Sequence, residues 1–168
     1  MRAAYADPPY IGQARKHYSD DPNCAEVDHK ALIAELESYD AWALSCSTPS
    51  LKTILPMCPN DVRVMAWVKP FCAFKANVGV AYAWEPVIVR GGRKRTREQL
   101  TVRDWVSAVI TLQRGTHGAK PETFCYWLFE VLNLDPADEL YDLFPGSGVV
   151  TRTWERFCNQ RQLQAGKP

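Results

Sequence analysis

Segments with the periodicity of strands alternate with segments that have the periodicity of helices along this chain of 168 residues. Runs that alternate apolar with polar residues indicate strands, and apolar residues three and four positions apart indicate amphipathic helices. This alternation is typical of an α/β domain with parallel strands, because a helix usually makes the crossover between two parallel strands. The sequence therefore predicts an α/β fold in one domain, residues 1–168.

The strand patterns predict strands at Arg2–Ala6, Ala41–Ser45, Val62–Lys69, Val78–Trp84, Pro86–Val89 and Leu140–Phe144. The helix patterns predict a helix from a cap at Asp28 to Tyr39, a short helix opened by a cap at Thr48 with Pro49, a helix beginning near Pro121, and a helix that carries Val150, Trp154, Phe157 and Cys158 on one face. Val102–Leu112 fits a strand or a short helix, and the polar segment Ile11–Val27 is predicted to be a long loop.

Membrane insertion and secretion are not expected from this sequence. No apolar run approaches the ~20 residues needed to cross a bilayer, and the first residues lack the apolar stretch of a signal peptide. The six cysteines contain no CxxC pair, so neither a zinc ribbon nor a disulfide framework is indicated. We expect a cytoplasmic protein with reduced thiols and no metal.

The net charge of +1 conceals an uneven distribution. Residues 90–104 contain six basic and two acidic side chains, which leaves 14 basic and 17 acidic residues elsewhere. A basic loop of this kind is a candidate contact for nucleic-acid phosphates, although a solvated loop that keeps the protein soluble is the commoner explanation. The basic residues of the segment are Arg90, Arg93, Lys94, Arg95, Arg97 and Arg103.

The tetrapeptide Asp7-Pro8-Pro9-Tyr10 follows the first predicted strand. An exocyclic amine on a nucleobase is a poor nucleophile, because its lone pair is delocalised into the ring. A carboxylate and a rigidly held backbone carbonyl that accept hydrogen bonds from the amine favour a tetrahedral nitrogen, and an aromatic ring beside them offers a stacking surface for an extruded base. The alternative interpretation of these four residues is a turn that carries an aspartate on the surface.

The segment Asp142-Leu143-Phe144-Pro145-Gly146-Ser147-Gly148 lies between a predicted strand and a predicted helix. Its glycines permit a tight turn and a close approach of the backbone to a ligand at the helix N-terminus. No third glycine follows at the spacing of a dinucleotide-binding fingerprint. A strand-to-helix turn without a ligand is the alternative.

Taken together and in this order, the two segments resemble motifs IV and I of the permuted, β-class amino-methyltransferases that use S-adenosylmethionine (SAM), chiefly the N6-adenine enzymes. Between them, His117-Gly118-Ala119-Lys120-Pro121-Glu122 resembles motif X of that class, and the segments around Trp67-Val68-Lys69-Pro70 and Trp84-Glu85-Pro86 resemble those of phage-type DNA adenine methylases. The resemblance implies a Rossmann-like class I methyltransferase sheet that is circularly permuted, and the length of the chain leaves no separate domain for target recognition. It also implies a protein of a bacterial or phage-infected cell.

The resemblance also implies roles for individual residues. Asp7 and the Pro8 carbonyl would accept hydrogen bonds from the target amine, Pro9 would keep the turn rigid, and Tyr10 would stack on the flipped base. The residues implied to border the cofactor are Asp7, Lys120, Pro121, Asp142, Phe144, Gly146, Ser147 and Gly148. The residues expected to contact nucleic acid are Arg15, Lys16, Arg93, Lys94, Arg95 and Arg97.

The chain departs from the family after the helix that follows the glycine turn. The family continues there into a second strand whose acidic residue holds the cofactor ribose, whereas only Asn159–Pro168 follow here. The resemblance thus implies a truncated sheet in which the strand at Leu140 forms an open edge. We expect a second copy, a partner subunit or the tail to cover that edge. A non-catalytic nucleic-acid-binding subunit, RNA adenine as a target and cytosine N4 as a target remain alternatives.

Overall fold

The computed structural model describes residues 1–12, 26–71, 77–110 and 119–165. Four helices and six strands are formed in these ranges. The strands are β1 (Arg2–Ala6), β2 (Ala41–Ser45), β3 (Arg63–Val68), β4 (Trp84–Gly91), β5 (Trp105–Ser107) and β6 (Glu139–Asp142). The helices are α1 (His29–Leu36), α2 (Thr48–Ile54), α3 (Glu122–Val131) and α4 (Val149–Ala165), and a 3₁₀ turn, Leu55–Met57, follows α2.

All six strands belong to one sheet, in the order β5-β3-β4-β2-β1-β6. β1 pairs in parallel with β2 and β6, and β3 pairs in parallel with β5. β4 is antiparallel to both of its neighbours, β2 and β3. We call the edge of the sheet where β1, β2, β3, β5 and β6 end the carboxyl rim, and the opposite edge the amino rim. β4 alone begins at the carboxyl rim.

Side chains on the two faces of the sheet pack in two separate hydrophobic clusters, as the alternation of a strand requires. Tyr5, Trp67 and Val87 lie in the cluster that contains α3 and α4. Trp42 and Ile88 lie in the cluster that contains α1 and α2. The central strands are buried on both faces, which explains their continuous apolar runs.

Local sequence explains where the helices begin. The Asp28 carboxylate accepts hydrogen bonds from the amides of Lys30 and Ala31, both at 3.0 Å, and so caps α1 as predicted. α2 is capped by Ser47 rather than by Thr48, because the Ser47 hydroxyl accepts from the backbone amide of Ser50 at 3.3 Å. The sequence prediction was one residue late there.

Other predicted elements were wrong or incomplete. Val78–Trp84 is not a strand; a single strand, β4, begins at Trp84 and runs through Pro86 to Gly91. Proline has no amide hydrogen to donate, but the Pro86 carbonyl still accepts a hydrogen bond from the Cys46 amide at 3.1 Å, and the strand continues through Pro86. Val102–Leu112, left open between strand and helix, contains the short strand β5. The polar tail is helical as far as Ala165, since α4 continues through it.

β6 is the outermost strand on its side of the sheet, and among the described residues no further strand pairs with it. The edge expected from the sequence is therefore present in the part of the chain that the structure describes. A second copy or partner subunit that covers it remains a prediction, as do the permutation and the truncation. Within the same ranges, no helix combines the length and apolar character needed to cross a membrane.

Candidate functional site

The two motifs lie side by side at the carboxyl rim. β1 ends at Ala6 and leads directly into Asp7, while β6 ends at Asp142 and leads into the glycine turn. Tyr5 is paired in register with Asp142, and the Leu143 amide donates a hydrogen bond to the Tyr5 carbonyl at 2.9 Å. The parallel pairing of β1 with β6 thus brings together segments that are more than a hundred residues apart.

Asp7 belongs to a network of four charged side chains. Lys120, in the loop before α3, places its ammonium nitrogen 2.8 Å from Asp7 Oδ1 and 2.8 Å from Glu85 Oε1. Lys69, just beyond β3, places its ammonium nitrogen 2.6 Å from Glu85 Oε2. Two carboxylates and two ammonium groups therefore balance one another at this rim.

The network is largely withdrawn from water. The side chains of Lys120 and Glu85 are 4% and 6% exposed, whereas Asp7 keeps 22% of its side-chain surface exposed. The face of the Trp67 ring lies 5.3 Å from the Lys120 nitrogen and 4.7 Å from the Lys69 nitrogen, so both cations also make cation–π contacts. Asp7 is the accessible carboxylate of the network, and Lys69, at 20% exposed, is its accessible ammonium group.

Tyr10 is tied to the same network. Its hydroxyl donates a hydrogen bond to Glu85 Oε1, the oxygen that also accepts from Lys120. The last residue of the tetrapeptide is thereby attached to the start of β4, two strands away from β1 in the sheet. Both Asp7 and Tyr10 are held by side chains from other elements.

Burial and charge oppose each other in this network. Burial acts to raise the pKa of Glu85, but the charges of Lys120 and Lys69 outweigh it and lower that pKa to about 2. Burial acts to lower the pKa of Lys120, but the neighbouring carboxylates, Asp7 first, hold it well above its usual value. Burial raises the pKa of Asp7, against the charge of Lys120. Glu85 and Lys120 are therefore both ionised at neutral pH.

The glycine turn adopts backbone conformations that favour glycine. The φ angles of Gly146 and Gly148 are +43° and +70°. The Gly148 amide donates to the Pro145 carbonyl at 2.6 Å, and the Arg152 guanidinium donates to the Ser147 carbonyl at 2.7 Å. These bonds fix a tight turn between β6 and α4 at the carboxyl rim.

Asp142, the last residue of β6, carries a carboxylate whose two oxygens are shielded from solvent and have no hydrogen-bond partner among the described residues. Burial raises the pKa of Asp142, the nearby Phe144 amide acts against burial, and the negative charge of Asp7 raises the pKa further. A buried carboxylate without a donor is costly, so a positively charged or N–H-bearing ligand group beside it would relieve that cost.

Most of the residues implied by the resemblance are brought together at this rim. Asp7, Pro8, Pro9 and Tyr10 lie beside Lys120, and Pro121 follows as the N-cap of α3. Asp142, Phe144, Gly146, Ser147 and Gly148 lie on the adjoining strand end and turn. Arg15 and Lys16 lie outside the described residues, as do His117 and Gly118.

The basic segment is not part of this site. Gly91 pairs with Ala41 at the beginning of β2, so the chain after β4 continues at the amino rim. Arg93 donates to Asp138 at 2.8 Å, and Arg95 donates to the Leu100 carbonyl at 3.0 Å. Two of the four residues predicted there to contact nucleic acid thus have partners within the protein.

Glu85 and Lys69 were not predicted as site residues. The sequence prediction placed Glu85 in a break between two strands, whereas it is the second residue of β4 and pairs in register with Trp67. The useful signal was the alternation Glu85, Val87 and Val89, which puts a charged residue in line with buried ones on one face. A carboxylate in such a position requires a buried partner.

Solved structures of M1.HpyAVI share this fold. The crystal structure of the M1.HpyAVI–SAM complex has a TM-score of 0.61 and 13% identity, over 93% of this chain and 77% of that chain. A crystal structure of M1.HpyAVI has a TM-score of 0.57 and 14% identity, over 93% and 75%. No family model and no curated protein sequence matches the chain. At this identity the likeness concerns the fold alone, and it confirms the predicted α/β class.

Proposed function

We propose that this protein transfers a methyl group from SAM to the exocyclic N6 amine of adenine in DNA. The observation that carries the proposal is the juxtaposition of Asp7 with the glycine turn, joined by the Leu143–Tyr5 hydrogen bond of 2.9 Å. The fold shared with a protein whose crystal structure contains SAM supports it independently. The order of the motifs, Asp-Pro-Pro-Tyr before the glycine turn, supports the choice of an amino group as acceptor.

The residues at the rim fit the chemistry of SAM. Asp142 offers a buried carboxylate without a donor, suited to the ammonium or sulfonium charge of that molecule. Gly146 and Gly148 leave the turn without side chains where a ligand would approach the backbone. Phe144 and Ser147 adjoin them in the turn. When bound, SAM supplies an electrophilic methyl group.

The other residues of the site bind and orient the target base. Asp7 accepts one hydrogen bond from the amine, and the Pro8 carbonyl accepts the second, so that the nitrogen lone pair is directed away from the ring. Pro8 and Pro9 fix the backbone at little further entropic cost. Tyr10 stacks on the base, which leaves the duplex to enter the site. Catalysis in such a site comes from positioning two reactants.

Lys120 has two roles in this proposal. Its ammonium group keeps Asp7 oriented through one carboxylate oxygen, 2.8 Å away, and leaves the other oxygen for the target amine. Its position at the opening of α3 puts a positive charge beside the rim, where it balances Asp7 and Glu85. Pro121 ends the loop that carries Lys120 and begins the helix.

The experiment incubates the protein with methyl-labelled SAM and duplex DNA, single-stranded DNA or RNA, and then identifies the labelled nucleoside after digestion. We expect N6-methyladenine from DNA with the wild type and none with Asp7→Asn. Asp61→Asn, an exposed carboxylate paired with Arg90, is the matched control and should transfer normally. Equal label with Asp7→Asn would remove Asp7 from the reaction, and label on RNA or on cytosine would change the substrate.

Calorimetry separates the enzyme from a binding subunit without catalysis. The proposal requires heat of binding when SAM is added to the wild-type protein. Binding of nucleic acid without any binding of SAM would favour the non-catalytic subunit, because the glycine turn and Asp142 would then hold no cofactor.

A further inference from the structure

We infer that Glu85 is a positioning residue of this site. Its carboxylate holds the Tyr10 ring where it can stack on the base, and it holds Lys120 where it can orient Asp7. The inference rests on the proposed function and adds to it a residue from an element that neither motif contains. Glu85 does not touch the substrate; it acts through Tyr10 and Lys120.

The contacts of Glu85 converge from three separate parts of the chain. Its Oε1 accepts hydrogen bonds from the Tyr10 hydroxyl and from Lys120, and its Oε2 lies 2.6 Å from the Lys69 nitrogen. With a side chain only 6% exposed, the carboxylate has little water to satisfy it, so these contacts replace its hydration. Moving this one group disturbs both Tyr10 and Lys120.

The topology explains why this position can do so. β4 is antiparallel to its neighbours, so the beginning of β4 lies at the rim where β1, β2 and β3 end. Val87 pairs with Ser45 at the end of β2, and Glu85 lies two residues further toward the rim on the same face. The side chain therefore reaches the space beside Asp7 from a rigid strand, and rigid elements hold functional groups more accurately than loops do.

Stability alone does not account for a buried network of this kind. Buried ion pairs add little to the stability of a fold, because the cost of taking the charges out of water offsets their attraction. Replacing such pairs by apolar side chains of similar size often leaves a protein equally stable or makes it more stable. Glu85, Lys69 and Lys120 instead define one geometry for the tetrapeptide. Trp67, beneath both ammonium groups, completes the support.

The test compares two double variants, Glu85→Met/Lys69→Met and Glu85→Gln/Lys69→Met. Both remove one negative and one positive charge, so both leave the Asp7–Lys120 pair balanced, and they differ only in whether residue 85 still offers an oxygen to Tyr10 and Lys120. We expect the glutamine variant to keep kcat for methyl transfer within a few-fold of wild type. We expect the methionine variant to lose about tenfold to a hundredfold in kcat, with a smaller change in KM for DNA.

A matched control removes an ion pair that also links neighbouring elements but lies away from the site. Arg63→Gln/Asp104→Asn breaks an exposed pair of 3.7 Å beside β3 and β5 and should leave kcat unchanged. Equal kcat for the two double variants, whether high or low, would overturn the inference, because the oxygen at residue 85 would then make no difference.

A second measurement keeps the inference independent of the proposed function. In protein labelled with 3-fluorotyrosine, the ¹⁹F resonance of Tyr10 is assigned by its loss in Tyr10→Phe. We expect that resonance to keep its position in the glutamine variant and to shift in the methionine variant. Absence of methyl transfer by the wild type would end the proposed function alone, and an unshifted Tyr10 resonance in the methionine variant would end the inference about Glu85.

Discussion

The ammonium nitrogen of Lys120 lies 2.8 Å from Asp7 Oδ1, and this contact joins residues 113 positions apart in the sequence. The lysine is 4% exposed and the aspartate 22% exposed. The pair therefore has a buried member that fixes the geometry and an accessible member that can meet a ligand. It also joins the loop before α3 to the end of β1.

Replacing Lys120 by methionine should destabilise the protein and abolish methyl transfer. Asp7 and Glu85 would both lose a partner, and removing one member of a buried ion pair costs about 3–5 kcal/mol. Urea unfolding followed by circular dichroism measures the loss of stability. Lys52→Met, on the exposed surface of α2, is the control. A Lys120→Met protein as stable as the control would contradict the buried pairing.

Glu85 should make the stability sensitive to acid. Its pKa of about 2 in the folded state is below the ordinary value of 4.5, so its ionised form stabilises the fold above pH 4.5, and this contribution is lost as the pH falls toward 2. The charges that face it are those of Lys120, Lys69 and Asp7, together with the Tyr10 hydroxyl. A shift of this size corresponds to about 3 kcal/mol.

Urea unfolding of the wild type and Glu85→Gln at several pH values measures that contribution. The difference in unfolding free energy between the two proteins should be largest near neutral pH and should shrink steadily between pH 4.5 and 2. Glu35→Gln, on the exposed side of α1, should show a small difference at every pH. A gap between wild type and Glu85→Gln that does not change with pH would disprove the assignment.

Gly148→Ala should strain the glycine turn. The φ angle of +70° disfavours any side chain, and a Cβ there would lie 3.0 Å from Arg152 Nη1. We expect a loss of about 1–2 kcal/mol in unfolding free energy and weaker binding of SAM by calorimetry. Gly79→Ala is the control, because no atom lies within 4 Å of its Cβ position and its φ angle is ordinary. Equal effects of the two substitutions would be incompatible with a strained turn.

Asp142→Asn should raise stability and lower cofactor affinity at the same time. Burial disfavours the ionised carboxylate, and the nearby Phe144 amide offsets this only in part, because neither carboxylate oxygen makes a well-formed hydrogen bond with a described residue. The asparagine side chain carries no charge. A gain of about 1 kcal/mol in unfolding free energy is expected. Because the pKa of Asp142 is raised, the wild type should approach the variant in stability as the pH is lowered. Weakened SAM binding by calorimetry completes the prediction, and unchanged affinity would contradict it.

The basic segment should divide into structural and exposed residues. Arg93 pairs with Asp138, whose side chain is 2% exposed, so Arg93→Gln should cost about 1–2 kcal/mol in urea unfolding. Lys94 and Arg97 form no side-chain hydrogen bond or ion pair with any described residue, and replacing both by glutamine should leave stability unchanged. If they contact phosphates, that double variant will also flatten the salt dependence of DNA binding.

The site residues that lie next to one another in the sequence were predicted, whereas a residue brought to the site by the pairing of strands was not. The tetrapeptide at Asp7 and the turn at Gly146 were visible as local patterns, and their order suggested that they lie together. Glu85 belongs to no such motif, and its alternation with Val87 and Val89 indicates a buried face without indicating a site. Its role depends on the antiparallel direction of β4, which is set by contacts with β2 and β3 and not by neighbouring residues.

Strand pairing also explains why the sequence did not show where the basic segment lies. A run of positive charge indicates attraction to phosphate but not the end of the sheet at which it lies. The antiparallel direction of β4 takes the chain from Glu85 at one rim to Gly91 at the other, and so separates residues 93–97 from Asp7. The pairing of Arg93 with Asp138 likewise needs the three-dimensional fold.

Because β4 runs opposite to its neighbours, insertions before β4 and after β4 lie at opposite rims of the sheet. The two ends of the connection from Lys69 to Ala83 meet at the carboxyl rim, where the Lys69 amide donates a hydrogen bond to the Ala83 carbonyl at 2.8 Å. Residues inserted between them would leave the sheet intact and would start and end beside the site. Residues added in the exposed turn between Arg97 and Glu98 would emerge away from the site, which makes that position suitable for attaching a reporter or a fusion partner.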